Sequence, residues 1–188
     1  MSTIKKICLC ALCTALCYVL PVAFHPLALG SMLSPMHIPV LLCGLLCGWP
    51  YGLFCGAAGP LISSLLSGMP AAPMLITMIP ELCAYGFFCG LLIQRIRTGR
   101  AIADLYLSLI PAMLLGRVVG GVASALFYLS TARTYSVALW ASSYLVGTLP
   151  GMILHLILVP AVVLVLQRAR LVPAYPCPAR GGAGERRA

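Results

Sequence analysis

Glu81 is the one acidic residue inside the apolar part of this chain, and its setting demands a chemical explanation. A carboxylate near the centre of a bilayer costs on the order of 2.5–3.5 kcal/mol on insertion scales, so it should face the protein interior and have a partner. Thr77, Glu81 and Tyr85 fall at i, i+4 and i+8, one polar stripe on a helix expected from about Ala72 to Gln94. Pro80 loosens that register beside the carboxylate. Arg117, in the middle of the next apolar stretch (about Leu105–Leu129), is the obvious partner, and with Gly121, Ser124 and Tyr128 it starts a second stripe. Tyr144, Thr148, Gly151 and His155 make a third on the last stretch, about Leu139–Leu166, which Pro150 and Pro160 should bend. If these helices are neighbours, the stripes converge. They would line a water-filled pocket open to the outside, built from Thr77, Glu81, Tyr85, Arg117, Ser124, Tyr128, Tyr144 and Thr148. His37, where an outer loop meets a helix, is a further candidate contact. The competing reading keeps Glu81 and Arg117 as an ion pair that only fixes helix packing, with His37 facing water or headgroups. The hydroxyls favour the pocket, because a packing pair has no need of them.

Other chemistries lack parts. Intramembrane metalloproteolysis needs carboxylates and histidines at metal-ligand spacing, but Asp104 sits at a membrane edge and Glu185 in the tail. There is no G-x-S-x-G elbow, and the glycines follow helical spacing rather than that of a phosphate-cradling loop, so the chain should not hydrolyse ATP itself. It is read as a non-enzyme that binds no cofactor. Of ten cysteines, only Cys10 and Cys13 have C-x-x-C spacing, and both lie in an apolar stretch. Cysteine is read here as a small apolar packing residue, with Cys177 alone in a solvated tail.

The elements that must position these residues follow from composition. The 188 residues are 62% hydrophobic and 8% charged, with mean hydropathy +1.06, against roughly 25% charged in soluble domains. That predicts an all-α membrane protein, a compact bundle of about six transmembrane helices. Residues 1–168 would form one domain, and 169–188 a Pro/Gly/Arg-rich cytoplasmic tail without fixed structure. The net charge of +9 follows topology rather than a nucleic-acid-binding face. With both termini in the cytoplasm, ten of the twelve basic residues fall inside, Arg133 falls outside and Arg117 lies within a helix.

Helix one is expected over Ile4–Phe24, uncleaved despite Lys5-Lys6 at its start, with Ala11 and Ala15 one turn apart on a flat face. His25–Pro39 is expected as a long outer loop. Pro39–Trp49 and Tyr51–Ser67 read as two short crossings packed face to face. Gly44, Gly48, Gly52 and Gly56 recur every fourth residue there, a spacing that lets backbones approach closely. Ser67-Gly68-Met69-Pro70 turns the chain into the helix that carries Glu81, and Arg95–Arg100 forms a basic loop.

Taken together, about six crossings, Ala11-x-x-x-Ala15, the long first outer loop and the run MHIPVLLCGLLCGWPYGLFCG…SGMP…MIPELCAYG resemble the substrate-binding S component of energy-coupling-factor (ECF) vitamin transporters, over roughly residues 5–168. The resemblance implies a cell-membrane protein that captures a vitamin or related metabolite from outside. Loops His25–Ile38, Gly68–Ala71 and Thr131–Ser136 would close over it. It also implies docking, through Ala11 and Ala15, onto a transmembrane coupling (T) subunit driven by two cytoplasmic ATPases that hydrolyse ATP. Arg117 would suit a carboxylate, so a pantothenate-like ligand is the first expectation; Glu81 would instead suit the amino-imine edge of a pterin or of a deazaguanine such as queuine. A rival from another class is a non-transporting membrane scaffold whose polar stripes are helix contacts.

Overall fold

The computed structural model describes residues 2–24, 35–68, 70–96, 98–130 and 149–169. Within them the chain forms six helices and no strand: α1 Thr3–Phe24, α2 His37–Cys47, α3 Trp49–Ser67, α4 Ala72–Arg95, α5 Ala101–Ser130 and α6 Leu149–Arg168. The expectations for residues 25–34, for Met69 and Arg97, for 131–148 and for the tail from 170 onward lie outside the described residues.

Local chemistry sets the breaks. Gly48 takes φ +99°, a conformation that side chains rarely adopt. This allows α2 to stop and α3 to start at the next residue, with Pro50 in its first turn. Gly68, left-handed at φ +69°, closes α3 by donating its N–H to the Ser64 carbonyl at 2.9 Å. Between α4 and α5, Asp104 accepts hydrogen bonds from the Thr98 N–H (2.7 Å) and Thr98 Oγ1 (2.5 Å), tying the connecting loop to the first turn of α5.

By length and composition α1, α4, α5 and α6 can each cross a membrane. The second element departs from the expected crossing over Pro39–Trp49. It has eleven residues, about 16 Å at 1.5 Å per residue, roughly half of a 30 Å hydrocarbon layer. Ten of its residues are buried, from His37 and Pro39 through Cys47. It is therefore a core segment, packed against α1, α3, α4 and α6, and apolar on every side because protein surrounds it.

The glycine series has a partner that its spacing alone did not reveal. Gly44, Gly52 and Gly56 face α4, and Gly44 and Gly52 also face each other. A β-carbon on Gly44 would lie 2.6 Å from the Gly86 carbonyl oxygen, and one on Gly56 would lie 2.5 Å from that of Leu82. Gly52 and Gly86 meet backbone to backbone, and Gly90 lies over the backbone of Trp49. Three helices thus close on one line, with dispersion between main chains in place of interlocking side chains. On the other side of α2 and α3, α1 packs through Cys10, Cys13, Thr14 and Cys17. Cys43, Cys47, Cys55 and Cys89 are buried too, and the described cysteines are free thiols.

Candidate functional site

Four helices bring their polar residues to one place. Glu81 lies on α4, nine residues or roughly 14 Å from the helix start, and is 5% exposed. Arg117, 6% exposed, reaches it from α5, its Nη1 standing 3.3 Å from Glu81 Oε1. Tyr85, one turn along α4, donates its hydroxyl to the same oxygen at 3.0 Å. His37 brings Nε2 to 3.8 Å from Oε1. His37 is the first residue of α2, so this contact sets the start of that helix beside Glu81. Burial is costly for a lone charge, and here a guanidinium and a phenol share the compensation.

The other flank is aromatic. The His37 ring meets Tyr85 edge-on, centroids 5.0 Å apart. It stacks on His155 of α6 at 5.6 Å with the rings 16° from parallel. His155 and Tyr85 are almost completely buried. The site therefore combines a charge-neutral pair, a phenol and two imidazoles whose planes are nearly aligned. Such a set can hydrogen-bond a planar polar edge and stack a flat ring.

Of the residues singled out from sequence, Glu81, Tyr85, Arg117 and His37 come together. Thr77 is buried one turn from Glu81, with its hydroxyl bonded to the Met74 carbonyl at 3.0 Å. Ser124 is buried two turns along α5 from Arg117. Tyr128 is 36% exposed and lies edge-on to Phe127, outside the group around Glu81. Tyr144 and Thr148 are outside the described residues. His155 belongs to the cluster although the sequence reading left it out of the site. Its place on the third stripe was visible, but only the packing of α6 on α2 shows that it meets His37. Among the described residues no group of three His, Cys, Asp or Glu side chains is arranged to hold a metal ion. Away from the cluster, Ala11 and Ala15 are exposed on α1, on the side turned from the bundle.

The family model described as ECF transporter, substrate-specific component, matches residues 5–163, which span most of α1, all of α2 to α5 and most of α6. The chain belongs to this family. No curated protein and no solved structure matches the chain. As an ECF substrate-specific component it is a multi-pass membrane protein and a substrate-binding subunit of a transporter. The rival reading as a scaffold gives way to that membership. The cluster around Glu81 is the most polar interior region described in this S component, which makes it the candidate place for its substrate.

Proposed function

We propose that this S component captures a small, overall uncharged nitrogen heterocycle of the deazaguanine or pterin type, with the donor edge of the ring on Glu81 and its face against one end of the His37–His155 stack. The observation that carries this reading is the charge balance of the buried cluster. Glu81 and Arg117 already neutralise one another at 3.3 Å, so a neutral ligand enters without leaving an uncompensated charge in a low-dielectric interior. A carboxylate has room for more hydrogen bonds than Tyr85 and Arg117 supply. A pantothenate-like carboxylate held by Arg117 is the second reading. The guanidinium and its fork geometry favour it, but such an anion would compete with Glu81 for the same cation.

The expected course is capture from the outer side, then uptake driven by ATP hydrolysis in two cytoplasmic ATPases that act through a transmembrane coupling subunit. The outward face of α1 at Ala11 and Ala15 would dock that subunit. Both termini would lie in the cytoplasm, as the distribution of Lys and Arg supports. The deciding experiment is mass spectrometry of the small molecule that copurifies with the detergent-solubilised protein. A flat, neutral heterocycle supports the first reading, a carboxylate transfers support to the second, and a ligand unaffected by Glu81→Ala and Arg117→Ala moves the site away from this cluster.

A further inference from the structure

Two glycines of α5 differ from those of the α2–α3–α4 line in what they face. There, an added β-carbon would strike backbone. On α5 it would strike the side chains of the site. At Gly120 it would lie 2.8 Å from both Cδ and Oε2 of Glu81; at Gly116 it would lie 2.5 Å from Cδ1 and Cε1 of the Tyr85 ring. Both distances are well inside van der Waals contact. The two pairs also share one register. Glu81 and Tyr85 are four residues apart on α4, Gly120 and Gly116 are four apart in the reverse order on α5, and the helices run antiparallel. The same register sets Thr77 opposite Ser124 and Cys89 opposite Ala112. Large or polar residues of α4 thus lie against small residues of α5 along the seam, and Arg117 rises from α5 between the two glycines.

We propose that Gly116 and Gly120 are positioning residues of the capture site. Because they lack side chains, Tyr85 and Glu81 can lie flat across α5. Glu81 Oε2 is then set against the bare backbone at Gly120, and Oε1 is presented to Tyr85, Arg117 and His37. A methyl group at Gly120 must displace the carboxylate itself, since its neighbours there are Cδ, Oε2 and Cγ of Glu81. One at Gly116 must displace the ring whose hydroxyl holds that carboxylate. The role of these glycines in capture rests on the reading of the Glu81 cluster as the substrate site, whereas their hold on Glu81 and Tyr85 does not.

The test uses the full-length protein in detergent. Circular dichroism gives the melting temperature, and the infrared carboxylate bands assigned to Glu81 by difference against Glu81→Gln report its bonding. Gly120→Ala should lower melting by on the order of 5 °C and shift the Glu81 bands. Glu81→Asp, shorter by one methylene, should restore most of the lost melting temperature in the Gly120→Ala background and none in the Gly116→Ala background. Gly90→Ala, which strikes the Trp49 backbone instead, should lower melting without moving the Glu81 bands. Unmoved bands in Gly120→Ala would overturn the proposal, and so would rescue of both glycine variants, or of neither, by Glu81→Asp. Unsubstituted 7-deazaguanine and a neutral pterin serve as separate probes. If neither raises the melting temperature of the unmodified protein, the substrate-class reading fails, while the band shift and the rescue pattern still decide the role of the glycines.

Discussion

Neutralising one member of the Glu81–Arg117 pair should destabilise the protein far more than neutralising both. The two charges are 3.3 Å apart, with side chains 6% and 7% exposed. At an effective dielectric of about 20, unit charges at that distance attract by about 5 kcal/mol. Removing one partner of such a buried pair costs about 3–5 kcal/mol, because the remaining charge has no compensation. For a chain of this size each kcal/mol moves the melting midpoint by roughly 2–4 °C. Glu81→Gln keeps the shape and removes the charge; Arg117→Met keeps most of the volume and removes the cation. Each single variant should therefore melt on the order of 10 °C below the parent, followed by circular dichroism of the detergent-solubilised protein. The double variant leaves no lone charge and should recover at least half of the summed loss, a coupling of about 3 kcal/mol or more. If the two single losses simply add in the double variant, the charges do not share a dry interior and the account of the site fails.

The remaining predictions concern other parts of the bundle. Gly86→Ala places a methyl group on the Gly52 backbone and should lower melting by several degrees, since overpacking costs about 1–3 kcal/mol; an unchanged midpoint would show that α3 and α4 do not touch there. His155→Ala removes the ring stacked on His37. A stacked pair is worth about 0.5–1.5 kcal/mol, so binding of the copurifying molecule should weaken roughly 2–10-fold in equilibrium titrations, and unaltered affinity would remove His155 from the site. Ala11→Trp should leave that binding intact in the isolated protein and stop uptake in cells that supply the coupling subunits; continued uptake would place docking elsewhere.

Much of this arrangement could be read along the chain because it rests on short-range rules. Gly48, Gly68 and the prolines near them mark helix ends through backbone conformation alone. The insertion cost of Glu81 calls for a partner, and Arg117 is the one cation within an apolar stretch, so the pair follows from cost and supply. What escaped depends on which helix lies beside which. Hydropathy cannot separate an eleven-residue core helix from a short crossing, because the lipid that would surround one is as apolar as the side chains that surround the other. That ambiguity hid α2 and, with it, the contact of His37 with Glu81. The four-residue glycine spacing marks a surface of close approach without naming what approaches, so the role of α4 was not visible. His155 and the two glycines of α5 gain meaning only through neighbours on other helices.

The backbone contact among α2, α3 and α4 has a further consequence for any transport cycle. Helices that touch through main chain have no rotamers between them to swing aside, and a slip of one residue would press the β-carbon of Tyr85 or Phe87 into the space that Gly86 leaves beside Gly52. These three segments must travel as one rigid block. Whatever rocking or tilting accompanies release of the cargo has to be taken up by α1, α5 and α6, whose seams are lined by side chains that can re-pack.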